Sequence, residues 1–217
     1  MAINKNQHFV PRCYLRAFTN DGGQRAIHVL NLDRRRAIPG ASVRKQCSGD
    51  YFYGQDELLE AAIRFVEDGY SSAIARIQCP RYALTEGDKS VLRTFMLFQH
   101  MRTEAASTRS VEMFAEMDHS LGSPLPGLKP SIKEAVQIAM RTFADVMHVL
   151  DDLKVCLVKN KTKTPFVTSD DPAVVVNRWH KEDARVRGKS PGLTACGTAV
   201  FLPLSPRILC EIGRAHV

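Results

Sequence analysis

DELLEAAIRFVEDGYSSAIARI, residues 56–77, is the stretch on which the fold turns. Leu59, Ala62, Ile63, Val66, Tyr70, Ala73, Ile74 and Ile77 recur at steps of three and four, the period of a helix that buries one face. Asp56 is placed to cap it, because a short carboxylate there accepts the backbone N–H groups that a first turn leaves unpaired. Upstream the period is two. In AIHVLNL (26–32), Ile27 and Val29 fall on one face and His28 and Leu30 on the other, as in a strand. Asn20-Asp21-Gly22-Gly23 marks a turn before that strand, Asp33 to Gly40 reads as a charged turn after it, and SVRKQC (42–47) reads as a short return strand.

Downstream, Thr85 with Asp88 forms a capping-box-like start for a second helix through SVLRTFMLFQHMRTEAASTRSVEMFAEM (90–117). A proline-rich linker at 122–130 follows. Ser131 then caps a third helix, SIKEAVQIAMRTFADVMHVL (131–150). From Leu153 the strand pattern returns in LKVCLVKN, in PFVTSDDP, in AVVVNR and in TAVFLPLSPRILCEI, with a polar linker at 181–192 between the last two. Strands, helices and strands again predict an α+β fold. Its expected form is a small sheet of N- and C-terminal strands around a three-helix middle segment, 56–150, in a single domain spanning 1–211. The last six residues, IGRAHV (212–217), match what a common sequencing adapter encodes in frame, so they are expected to be foreign to the native chain.

The formal net charge is +7, too small and too dispersed to establish nucleic-acid binding by itself. Six cysteines contain no CxxC pair, and seven histidines contain no HExxH or HxH, so a metal site would need tertiary assembly. No phosphate-loop, dinucleotide or nucleophile-elbow motif occurs, and the sequence leaves the cofactor unknown. No apolar run approaches the roughly 20 residues that cross a bilayer, and MAINKNQH lacks the apolar region of a secretory signal. The expected location is the cytoplasm, without a membrane.

Three segments carry candidate chemistry. In QHFVPRCYLRAF (7–18), Pro11 fixes its own φ and pushes Val10 toward an extended conformation, stiffening the chain beside His8. His8 is a candidate general acid/base, competing with a structural histidine bonded to a carbonyl. On the second helix Leu92, Phe95, Met96, Gln99 and Arg102 share a face, so an apolar stripe turns polar while still facing inward. Arg102 there suits either an anionic ligand or a structural carboxylate. In FVTSDDPAVVV (166–176), Pro172 halts regular pairing and leaves Ser169 and Asp170 at a strand end, with Asp170 freer than Asp171 to point inward. A turn bonded to its own backbone is the competing reading.

QHFVPRCYLRAF, FQHMRT, FVTSDDPAVVVN and PLSP, in this order, resemble the bacterial family known as domain of unknown function 4238. The resemblance covers residues 7 to about 210. It implies a cytoplasmic bacterial protein without an established activity, with hallmark polar positions at His8, Arg102, Ser169 and Asp170, and a chain longer than this one.

Two functions follow as expectations. One is a hydrolase-like enzyme acting on a phosphodiester or nucleotide. In it His8 is the general acid/base, Asp170 its orienter or a metal ligand, Arg102 with Gln99 an anion clamp, and Ser169 a substrate contact. The other is a non-catalytic module that binds nucleic acid or a protein partner, in defence or regulation. Both place His8, Arg102 and Asp170 around one hollow.

Overall fold

The computed structural model describes residues 4–20, 23–79, 81–120, 130–179, 183, 192–193 and 195–214. The expected linkers at 122–130 and 181–192, and the end of the IGRAHV stretch, lie largely outside them. The α+β class holds. β1 (Asn6–His8), α1 (Arg12–Leu15), β2 (Ala26–Asn31), β3 (Arg36–Ser42) and β4 (Ser48–Asp50) precede α2 (Glu57–Ile77). Then come α3 (Glu86–Arg102), α4 (Glu104–Ser120) and α5 (Ile132–Val146), followed by β5 (Lys154–Lys159), β6 (Val174–Asn177), β7 (Thr198–Ser205) and β8 (Ile208–Gly213).

The strands do not share one sheet as expected. β1 pairs with β4 and β2 with β3, while the C-terminal strands form their own antiparallel sheet in the order β5-β8-β7-β6. The hairpin turn is also tighter than expected. Arg35 takes a left-handed φ of 47°, and Asn31 Oδ1 accepts from Arg34 N at 2.7 Å. The return strand therefore starts at Arg36, and 43–45 form a short 3-10 turn instead of a strand. Residues 165–172 are not a strand, although Phe166 N donates to Pro206 O at 3.0 Å.

The middle segment holds four helices because the expected second one is broken. Thr103 turns extended, with φ −74° and ψ 160°, and its Oγ1 accepts from Ala106 N as a cap for α4. The other helix starts follow local chemistry. Asp56 Oδ1 accepts from Leu58 N and Leu59 N, and both Thr85–Asp88 and Ser131–Glu134 close reciprocal capping boxes.

The core lies between α2, α3 and the four-stranded sheet. Tyr70 of α2 stacks on Phe95 of α3 with ring centroids 3.7 Å apart. Tyr14, fully buried, reaches from α1 to the sheet side, donating to Pro203 O and sharing a hydrogen bond with Thr168. Pro203 sits in β7 beyond the reach of β6, so only one neighbouring strand meets its missing N–H. Ile212, paired with Val155 and Val200, is fully buried in β8. At Gly213 an added Cβ would lie 2.9 Å from Thr198 O, so the strand end closes against its neighbour's backbone. No helix among the described residues is long and apolar enough to cross a membrane.

Candidate functional site

β1 is short, and the chain around His8 is held from several sides. His8 pairs with Ser48 and Gln7 with Gly49, while Phe9 N and Val10 N both donate to Cys47 O. Gln7 Oε1 accepts from Tyr53 N at 2.7 Å, and Gln7 Nε2 donates to Gly54 O at 2.9 Å. This side chain therefore binds the loop after β4 much as another strand would.

Beneath the segment lies Arg102, at the last position of α3 and fully buried. Nη2 donates to His8 O at 2.5 Å, Nε to Tyr53 Oη at 2.6 Å and Nη1 to Glu67 Oε1 at 2.8 Å. The guanidinium carbon lies 4.2 Å from the Phe98 ring centroid and 5.2 Å from that of Tyr53. The arginine thus spends one fork on three elements: β1, the loop before α2, and α2 itself. Tyr53 also donates to His8 O, at 3.2 Å. Burial pushes its hydroxyl up to about 12, so it stays a neutral donor.

His8 Nε2 lies 3.2 Å from Arg44 O. A carbonyl only accepts, so Nε2 carries the hydrogen in the neutral ring and Nδ1 is its basic nitrogen. Burial lowers the imidazole pKa, and the Arg12 guanidinium lowers it further, against the pull of the Arg44 and Val43 carbonyls.

His8 and Arg102 line one cavity of about 550 Å³. It runs along one face of α2, from Asp56 through Glu60, Ile63 and Glu67 to Ser71, a length of roughly 22 Å at 1.5 Å per helical residue. The opposite wall carries Arg12 and Arg16 from the opening segment and Arg44 from the turn after β3, and Arg64 projects from α2. Among the described residues none of these four arginines has a carboxylate within ion-pair distance. They carry no sequence signal beyond being arginines, and only tertiary packing gathers them, α1 docking on α2 and the 43–45 turn bonding to β1 through Arg44 O. That docking is marked by Cys13 Sγ at 4.0 Å from Glu67 O.

Gln99, Ser169 and Asp170 are not among the cavity-lining residues. Gln99 is fully buried, and neither its Oε1 nor its Nε2 has a hydrogen-bond partner among the described residues. Ser169 closes a local turn, accepting from Asp171 N at 3.2 Å and donating to Asp171 O at 2.9 Å. That turn leaves Asp170 exposed and aims Asp171 inward instead. Asp171 accepts from Thr103 Oγ1 at 2.9 Å and from Arg109 Nη1 at 2.5 Å, pinning the 168–172 loop to the α3–α4 break. Asp170 acts on the Cys47 thiol, which burial first, then Asp170 and Glu104, push up to about 12. No cluster of three or more His, Cys, Asp or Glu suited to a metal ion occurs among the described residues.

A family model described as "Protein of unknown function (DUF4238)" matches residues 6–215. No curated protein and no solved structure matches the chain.

Proposed function

We propose, for a chain that belongs to the DUF4238 family, that the cavity binds a small phosphate-bearing anion, a nucleotide or phosphodiester, and that His8 moves a proton there in a hydrolase-like reaction. The observation that carries this reading is the coexistence, in one hollow, of four arginines without carboxylate partners among the described residues and a histidine biased toward its neutral form. Arginine forks match phosphate oxygens in pairs. A neutral imidazole beside them can take a proton from water attacking the bound group. In this reading Arg102 is a positioning residue. Its three bonds go to protein acceptors, one of them the carbonyl of His8. Cytoplasmic residence and a bacterial origin belong to the same proposal.

A non-catalytic module that binds nucleic acid or a protein partner is the second reading. It is favoured by His8 bonding a backbone carbonyl, with no orienting carboxylate on it among the described residues, and by the exposed position of Asp170 outside the cavity.

The two part under a paired assay. Titration calorimetry with ADP and inorganic phosphate reads binding, and hydrolysis of p-nitrophenyl phosphate and its bis ester reads chemistry. The enzyme reading expects His8→Ala to abolish hydrolysis, with binding and melting temperature nearly unchanged. Binding without hydrolysis in the parent chain favours the module. No binding of either anion at low salt removes the enzyme reading.

A further inference from the structure

The cavity holds acids as well as arginines, and a bare phosphate would be repelled by them. Three are already engaged: Asp56 caps α2, Glu60 accepts from Asn4 N at 3.4 Å, and Glu67 holds Arg102. Asp68 lines the same hollow, and its carboxylate has no partner among the described residues. Asn6 donates to Arg44 O, which leaves its side-chain oxygen as an acceptor on the wall. Carboxylates and amide oxygens accept hydrogen bonds from hydroxyl groups, and they gain nothing from a second anion.

Aromatic surface is scarce in this hollow. Tyr53 is the one Phe, Tyr or Trp among the described lining residues, and it is buried, its hydroxyl committed to Arg102 and His8 O. A nucleobase binds largely by stacking on an exposed ring face, and the described lining residues offer no exposed Phe, Tyr or Trp face for it, only the half-buried imidazole of His8. What the walls do offer is guanidinium groups for phosphate and acceptors for several hydroxyls, in a volume of the size that holds small metabolites.

We infer that the ligand is a phosphorylated sugar or polyol, with its phosphate on Arg12, Arg16 and Arg44 and its hydroxyls on Asp68 and the polar groups of α2. This rests on the anion-binding reading above and narrows it away from nucleotides.

Titration calorimetry on the whole chain, at fixed ionic strength, tests it with glucose 6-phosphate, ribose 5-phosphate, myo-inositol 1-phosphate, inorganic phosphate, glucose and ADP. The best sugar or polyol phosphate is expected to bind about tenfold or more tighter than inorganic phosphate or ADP, as one or two hydrogen bonds to a charged acceptor would give. Asp68→Asn, at an exposed site, is expected to weaken that ligand about tenfold while binding inorganic phosphate at least as tightly as the parent. Arg12→Ala is expected to weaken both.

ADP binding as tightly as any sugar phosphate, or an Asp68→Asn variant indistinguishable from the parent, overturns the sugar-phosphate assignment and leaves anion binding standing. Failure of every phosphate ligand to bind at low salt overturns both.

Discussion

Arg102 donates to Glu67 at 2.8 Å from a fully buried side chain, whereas Glu67 keeps 27% of its own in solvent. The asymmetry decides how the pair responds to mutation. Removing the arginine leaves a carboxylate that water can still reach, a hydroxyl, and the carbonyl of His8. Arg102→Ala is therefore expected to cost about 3 kcal/mol, the lower end of what breaking a buried pair costs. Arg102→Lys keeps the charge but is a point donor that cannot serve three diverging acceptors, so it should recover less than half of the loss. Urea unfolding of the three chains measures this. An Arg102→Ala chain within about 0.5 kcal/mol of the parent would show that the fork carries no weight.

Gln99 occupies the previous turn of α3 and has the opposite problem. An amide buried without partners costs roughly 1–3 kcal/mol relative to an apolar group of the same shape. Gln99→Met, which nearly conserves volume, is expected to raise stability by about 1 kcal/mol, read as a higher melting temperature. A lower one means that an internal water or a ligand satisfies the amide in solution.

How far these sites were legible varies with the range of the forces that make them. Asp56, Thr85 with Asp88 and Ser131 were readable as helix starts because each bonds backbone within three residues of itself. Gln99 and Arg102 were readable as inward-facing because helical period fixes the face. Strand partners were not. Period two reports which residues share a face, and is silent on whether β1 meets β4 or a C-terminal strand. The α3–α4 break was hidden because apolar residues continue past Arg102 in helical steps. The cause of the break is tertiary, with Thr103 bonded to Asp171, 68 residues away. Arg12, Arg16, Arg44 and Arg64 look in sequence like any solvated arginines, and only tertiary packing, α1 on α2 and the 43–45 turn against β1, gathers them.

The two aspartates of the 168–172 loop give a direct contrast. Asp171 accepts from Thr103 and Arg109, whereas Asp170 is exposed. Asp171→Ala is expected to cost about 1–2 kcal/mol, through an unpaired Thr103 and the lost charge-assisted bond from Arg109. Asp170→Ala is expected to stay within about 0.5 kcal/mol of the parent. Chemical denaturation of both variants checks this. An Asp170→Ala chain that is the weaker of the two reverses the assignment.

Asp88 supplies a prediction about pH. Its carboxylate is fully buried beneath the start of α3. It accepts from Thr85 Oγ1 and N, from Tyr82 Oη, and from Arg76 Nη2 at 2.6 Å. Burial alone would push the carboxyl pKa up. The bonds from Thr85, Tyr82 and Arg76 outweigh it and hold the group well below the usual carboxylate range. The unfolded chain therefore takes up this proton first, near pH ~3.9. The stabilisation is complete above that value and is lost as pH falls through it toward the folded pKa. Asp88→Asn should be less stable by roughly 1–3 kcal/mol at neutral pH, and the gap to the parent should narrow between about pH 5 and pH 2. Urea unfolding at several pH values, taken as parent minus variant, cancels the other carboxylates. A difference that stays constant across that window would mean that Asp88 is as easily protonated folded as unfolded, and that the capping network leaves its charge unsupported.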